Sequence, residues 1–470
     1  MSRPLVAHQA APVTAVPAGT RVPFGFSVWT VPAPGQGAAR LAWPAGLVCH
    51  GPAALRLTTA IDSRERQLFT LRTASGRRIG SLDLRLAHPV EIFQHLLAAE
   101  DVAEILADGL VVEMIEGTKP AWFLAADTAA TAPWLAPHLM PWVPAADPAA
   151  CFRERLASLD CIHTFGWMEG CILDAYAALD AVEPTCGWDA ILRQHLARCF
   201  PPDGRLVCET AKSEISDDRI ASIEETLMFV FLARCQPDHP WIDGVQRFWS
   251  TKMQDGVVVD HHATTAEGSY TIAYPMAAVA ALRGDATLAS QALAQLERRR
   301  MTLRHDGAVW LRWYPSENRR TYRNWARGVT WHFLGSVRTA QTIAASGLAD
   351  PTAILTELPE LAALVLAHQR ADGLWNCYLD DADGQPDTSG SAGIAAALAV
   401  AAKAGWLPGE CRTAAARTWI GLQAHLTPDG LLGGVAQSNR GGEDLQRSGY
   451  RVISQMGMGL MGQLDAALRS

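Results

Sequence analysis

The hydrophobic rhythm of the chain changes near residue 150. Before that point, short runs alternate apolar with polar or β-branched residues: FGFSVWTV (residues 24–31), LRLTTAI (55–61), QLFTLRT (67–73) and GSLDLRLA (80–87). Pro/Gly segments such as PAPGQG and charged turns such as DSRER separate them, which predicts strands of a small β-rich domain. PVEIFQHLLAAEDVAEILADG reads as helix, and GLVVEMIEG and AWFLAA read as extended again. A Pro-rich stretch over residues 132–150 marks the expected boundary. The prediction is a β-rich N-terminal domain over 1–145, with no role assigned, and a helical domain over 146–470.

Beyond residue 150 the apolar positions recur at helical spacing. Five Asp-Gly pairs punctuate them: Asp203-Gly204, Asp255-Gly256, Asp306-Gly307, Asp372-Gly373 and Asp429-Gly430. Each follows a helical pattern, where a glycine would cap the helix, and five in phase indicate a repeat. After each turn come a short apolar segment, a loop, and a helix apolar almost all round. TLMFVFLA, IAYPMAAVAAL, VTWHFLGSVRTA, GIAAALAVAA and ISQMGMGLMGQL fill these slots, and WMEGCILDAYAAL makes a sixth. A helix apolar on every side must be enclosed by protein. Six such helices ringed by six amphipathic ones describe a mainly α fold, an (α/α)6 toroid.

Composition narrows the function. A chain of 470 residues, 49% hydrophobic and 19% charged, has ample material for a core. Its net charge of −8 and the lack of a Lys/Arg run argue against nucleic acid, and an anionic ligand would need arginines placed locally. The N-terminus has no continuous apolar stretch and no 18-residue run reads as a span, so the expectation is a cytoplasmic enzyme with no membrane partner. Ten cysteines without a CxxC read as small buried hydrophobes. Adjacent His261 and His262 lack a further ligand at a usable spacing, and Asp380 to Gly384 does not match a calcium loop. No metal and no cofactor are expected.

In such a toroid the inner helices run parallel and open their N-termini at one end, where anionic groups are favoured. The helix starts collect Trp167 and Glu169; Asp217 and Asp218; Glu267, Ser269 and Tyr270; Trp325, Arg327 and Trp331; Thr388, Ser389 and Ser391; Tyr450 and Arg451. Taken singly, the carboxylates read equally as first-turn caps and the tryptophans as core. Arg327 between two tryptophans in NWARGVTW reads as a carboxylate fork beside faces that stack on a sugar ring.

YRNWARGVTWHFLGSVRT and DGLWNCYLDDADGQPDTSGSAGIAAALA resemble the best-marked segments of the unsaturated glucuronyl and rhamnogalacturonyl hydrolases, the six-hairpin glycosidases of glycoside hydrolase families 88 and 105. The family patterns are roughly WxRGxGW and DGLW…ETSGSA, and the N-terminal region lies outside the resemblance. It implies the (α/α)6 fold and a hydration-led hydrolysis. An acid protonates C4 of a terminal 4,5-unsaturated uronic acid, water attacks C5, and the hemiketal opens to release the neighbouring sugar. Carried onto this sequence, it implies Glu267 as the catalytic acid in place of the family's Asp, with Asp218, and Asp217 next, as the second carboxylate. Arg327 and Trp331 would bind substrate. Trp375, Thr388, Ser389 and Ser391 would form one wall, with Tyr270, Trp313, Trp325, Tyr450 and Arg451 as further contacts. The segment AVWLRWYPSE carries Trp313 and Tyr314 where the family often has a His. Two alternatives stay open: an ordinary exo-glycosidase of β-glucuronidase type using a Glu/Asp pair, and a non-catalytic carbohydrate-binding toroid. The expected partner is an acidic oligosaccharide, with assembly into a homo-oligomer left open.

Overall fold

Six helices apolar on every face can be satisfied only at the centre of the molecule, and that is where they lie. The computed structural model describes residues 3–9, 14–125, 133–158, 160–260 and 262–469. The inner ring consists of Trp167–Val182, Phe229–Cys235, Tyr274–Arg283, Ala326–Ser346, Thr388–Lys403 and Gln455–Arg469. A 3-10 turn, Ile223–Met228, leads into the second, and a π-helical turn, Ser269–Ala273, leads into the third. Around them lie Trp188–Ala197, Trp241–Lys252, Ala286–Leu303, Leu358–Leu366, Gly409–Gln423 and, closing the set, Pro148–Leu156. Neighbouring inner helices pack in chain order, and the last packs on the first, so the ring closes. The (α/α)6 toroid read from periodicity is the fold.

Small residues permit the close approach. A Cβ on Gly459 would sit 2.5 Å from the backbone carbonyl carbon of Cys171 in the first inner helix. One on Gly335 would sit 2.3 Å from the carbonyl carbon of Ser269. Any side chain there would push the ring apart. The axis is not wholly apolar. Asp174 accepts from the Tyr270 hydroxyl at 2.5 Å and from Arg338 Nε at 3.2 Å, and Arg338 reaches Gln463 at 3.0 Å. This buried charge pair is satisfied on both sides, which is the condition for tolerating it in a core.

The Asp-Gly pairs are turns rather than helix caps. Asp255-Gly256 and Asp306-Gly307 each join two antiparallel strands, with φ of 49° and 80°, and 52° and 71°. Two consecutive positive φ values define the hairpin turn whose twist matches the strands it joins. In the other three pairs the glycine amide returns to the carbonyl three residues back, at Pro201, Arg370 and Thr427.

The N-terminal region is built on antiparallel pairing. Ala53–Thr58 lies between Ile92–Leu97 and His138–Pro141, with Leu5–Val6 beyond. A second sheet orders His8–Gln9, Ala39–Ala42, Leu110–Glu116, Arg66–Thr73 and Arg78–Arg85. The segment read as one long helix divides: Ile92–Leu97 is a strand, and only Ala99–Asp108 is helical. Tertiary pairing with Ala53–Thr58 overrides local propensity there. The N-terminal region and the toroid share one continuous apolar core. Arg56, 1% exposed, makes a bidentate pair with Asp429 of the toroid at 2.7 and 2.8 Å.

Candidate active site

At the N-terminal end of the inner ring is a pocket of about 150 Å³. Its aromatic walls are Trp167, Tyr270, Trp325 and Trp331; its acids are Glu224 and Glu267; its cations are Arg312, Arg327 and Arg440. His88, Thr271, Ser438 and Asn439 complete the lining.

Glu267 is placed by a small sheet. Thr264–Thr265 pairs with the strand Ala308–Tyr314, and the Ala266 amide donates to Leu311 O at 2.8 Å. The chain then enters the π-helical turn, where Thr271 Oγ1 donates back to Glu267 O at 3.1 Å. Behind it, Arg299 is fully buried and donates to Thr265 O and Val258 O at 3.0 and 2.7 Å. A Cβ on Gly268 would sit 2.1 Å from Arg299 Nη2, so the glycine after the acid gives the guanidinium its place. Glu267 is 8% exposed. Its Oε1 lies 3.5 Å from Arg312 Nη2, and its buried Oε2 has no hydrogen-bond partner among the described residues. A buried carboxylate oxygen without a partner is costly, and a ligand in the pocket would satisfy it.

Glu224 enters from the 3-10 turn that opens the second inner helix. Thr226 Oγ1 donates to Thr271 O, tying the entrances of the second and third inner helices together and fixing the two acids relative to each other. Burial, then the charges of Glu267 and Asp260, push the Glu224 carboxyl up to about 7 despite the opposing field of Arg312. Two acids in one low-dielectric site cannot both ionise freely. The surroundings of the two acids differ: Glu267 lies beside a guanidinium, whereas Glu224 makes no hydrogen bond to a described residue.

The floor is a set of stacked rings. Trp331 is edge-on to Trp167, with centroids 5.2 Å apart, and parallel to Tyr270 at 6.0 Å. Arg327, 3% exposed, donates to Gln437 O at 2.6 Å, lies 3.9 Å from Asp387, and sits 4.7 Å over the Trp325 ring. It supports the loop carrying Ser438, Asn439 and Arg440 from behind. The same loop is held by Gln446, which donates to the carbonyls of Gln437 and Ser438 and accepts from Trp325 Nε1.

The N-terminal region supplies the remaining wall. His88 lines the pocket, and its charged form is strongly disfavoured by burial and then by the Arg440 charge. Glu91 accepts from the His88 amide at 2.8 Å and from Gln437 Nε2 at 2.7 Å, and burial raises its carboxyl to about 8. Asp62 pairs with Arg440.

The structure brings together Glu267, Tyr270, Trp325, Arg327 and Trp331, and it corrects the other expected site residues. Asp218 is exposed and paired with Arg205 at 3.0 Å, outside the pocket. Asp217 is held by Arg21 and by the Cys208 amide. Both belong to a loop that ends before the helix entrance, and Glu224, six residues on, is the acid at that entrance that lines the pocket. Trp313 is covered by Arg320 at 4.1 Å and does not line the pocket. Trp375 is fully buried, donating to Val365 O at 2.7 Å. Thr388, Ser389 and Ser391 are fully buried, bonded to Gly433 O, to Asp387 Oδ1 and to the Trp375 amide. Tyr450 donates to Asp83 O, and Arg451 to Pro386 O. These six residues build the scaffold around the pocket. His261 lies outside the described residues.

Reading the sequence missed Glu224, Arg312, Arg440 and His88. Only Glu224 carried a usable signal, as an acid directly ahead of an apolar inner helix.

Comparison with known proteins follows the same line. Residues 291–468 match the model of Glycosyl Hydrolase Family 88. No curated protein matches the chain in sequence. Among solved structures, a possible family 105 member from Klebsiella pneumoniae is 15% identical, with a TM-score of 0.58 over 73% of this chain and 99% of that one. A family 105 glycoside hydrolase from C. acetobutylicum is 16% identical, with a TM-score of 0.57 over 68% and 98%. An unsaturated glucuronyl hydrolase specific for heparin is 12% identical, with a TM-score of 0.52 over 68% and 94%. The family match covers the fourth to sixth inner helices and the motifs around Arg327 and Trp375, and the fold extends the likeness around the ring. Over residues 291–468 the chain is similar to Glycosyl Hydrolase Family 88, and its fold is the one shared by these family 105 and glucuronyl hydrolase structures.

Proposed function

We propose that the protein removes a 4,5-unsaturated uronic acid from the non-reducing end of acidic oligosaccharides by hydration. The observation that carries this reading is the pairing of Glu224 with Glu267 in a tryptophan-floored pocket that also holds three arginines. Glu224, neutral below about pH 7, gives its proton to C4 of the sugar. Glu267, to which the resemblance gives the role of acid, lies beside Arg312 and in this reading takes a proton from the water that adds at C5. The hemiketal so formed opens and frees the neighbouring sugar. Trp167 and Trp331 offer faces to the ring, and Arg440 and Arg327 face its carboxylate. A molecule of net charge −8 needs such local cations to hold an anionic sugar.

The similarity in fold to a glucuronyl hydrolase supports the same direction. The ten unpaired cysteines support a reducing compartment such as the cytoplasm, and no described helix is long and apolar enough to cross a membrane. The test is incubation with unsaturated disaccharides from polysaccharide lyases, following loss of the enol-ether absorbance. No loss, together with cleavage of an aryl β-glucuronide, would overturn hydration in favour of ordinary glycoside hydrolysis by the same two acids.

A further inference from the structure

Beside the pocket, on the N-terminal β region, lies a second and larger concavity of about 420 Å³. Ile61, Trp122 and Pro120 give it an apolar floor, and Arg64, Lys119 and Lys212 are its cations. We propose that this groove binds the anionic remainder of an acidic oligosaccharide whose terminal sugar occupies the pocket, an inference that rests on the hydrolase reading above only for what the pocket holds.

The two cavities share a wall. Asp62 lines the groove, its side chain is 2% exposed, and it pairs with both Arg64 of the groove and Arg440 of the pocket. Both guanidiniums also donate to Ala211 O, at 3.0 and 3.1 Å. One buried carboxylate thus serves two guanidiniums and joins the rim of the pocket to the rim of the groove. The acid elsewhere in the groove is committed: Glu65 accepts from the amides of Thr118 and Lys119 and from the Thr118 hydroxyl. Glu214 acts on Arg64 as one further counter-charge. Lys119 and Lys212 are exposed and make no ion pair with a described residue. An aromatic and aliphatic floor under a cationic rim suits carboxylated sugar rings, whose faces are apolar and whose edges carry charge. A neutral glycan would leave Lys119 and Lys212 without a partner, and a lone terminal sugar in the pocket would not reach them.

The test compares the wild type with the double variant Lys119→Glu/Lys212→Glu by calorimetric titration. The probes are a saturated tetrasaccharide containing two uronic acids and the single uronic acid. Both lysines are exposed, so folding should be retained, and an unchanged melting temperature would verify it. The expected result is about a tenfold higher Kd for the tetrasaccharide, shrinking as salt is raised, with no change for the monosaccharide. Equal affinity of wild type and variant for the tetrasaccharide would overturn the groove, and so would an equal loss for both probes. Because binding is the readout, a wild type that shows the groove effect yet leaves unsaturated ends intact would sink the hydration reading alone.

Discussion

Glu224 is the residue on which the proposed chemistry can be tested most sharply. Its carboxyl is raised to about 7 by burial and by the charges of Glu267 and Asp260. As the proton donor it must be neutral, so the sign is fixed: activity is full below about pH 6 and lost as pH rises through 7. With that value, about 90% of the enzyme carries the proton one unit below and about 10% one unit above, and the basic limb of kcat/KM should reflect it. Replacing Glu224 by Gln preserves shape and removes the transferable proton. General acid catalysis is worth about 10²–10⁴-fold, so kcat should fall by that factor, about 3–5.5 kcal/mol of barrier, with little change in melting temperature. The control is Asp260→Asn, which deletes a charge that raises Glu224 and should retain activity with its basic limb moved to lower pH. The assay is the pH profile of enol-ether loss for the three proteins. A Glu224→Gln enzyme within about threefold of wild type would refute the assignment. So would a basic limb that stays in place in Asp260→Asn.

Further expectations follow from other parts of the site. Glu267→Gln should abolish turnover without unfolding the protein, because its Oε2 meets no donor among the described residues; near-normal kcat in a folded variant would contradict its role. Gly268→Ala drives a Cβ to 2.1 Å from Arg299 and should cost about 1–3 kcal/mol by thermal melting while lowering kcat through displaced Glu267. Asp429→Asn strips the buried Arg56 and Arg155 of their counter-charge and should cost about 3–5 kcal/mol. Despite the upward push of burial, Arg56 holds the Asp429 carboxyl well below the usual carboxylate range. That stability is therefore present above about pH 4 and lost as pH falls further, so wild type and variant should converge in acid. Arg327→Ala should lower the melting temperature and disorder the loop at Gln437–Arg440, since that guanidinium holds the loop carbonyl as well as facing the pocket; an unchanged melting temperature would show that it acts on substrate alone.

How much of this was legible in the sequence depends on what each signal measures. The ring of inner helices could be read because burial on every side leaves a compositional mark, seen in TLMFVFLA and GIAAALAVAA, that no surface helix carries. The Asp-Gly repeat was visible as a recurring residue pair, although two of its pairs turn hairpins and three close other turns, and none caps a helix. The pocket was harder, because a motif marks what a family retains without saying whether the residue meets the ligand. In the segment from Asp372 to Ala399, Trp375, Ser389 and Ser391 are spent on internal hydrogen bonds, while Arg327 and Trp331 of the other segment do face the cavity.

The acid at the entrance of the second inner helix that lines the pocket is Glu224, not the expected Asp217 or Asp218. Asp217 and Asp218 match the expected residue type, but a 3-10 turn at Ile223–Met228 moves the helix entrance to Glu224, and no periodicity announces such a turn. His88 and Arg440 could not have been found at all by spacing, since about 350 residues separate them and only the folded interface brings them together. That interface has a functional consequence. Asp62 positions Arg440, and Glu91 holds Gln437 beside Arg327, so two of the three cations lining the pocket are set by residues from the region that the family resemblance leaves out. The N-terminal region is therefore part of the pocket, since His88 lines it and Asp62 and Glu91 hold the side chains of Arg440 and Gln437 in its wall.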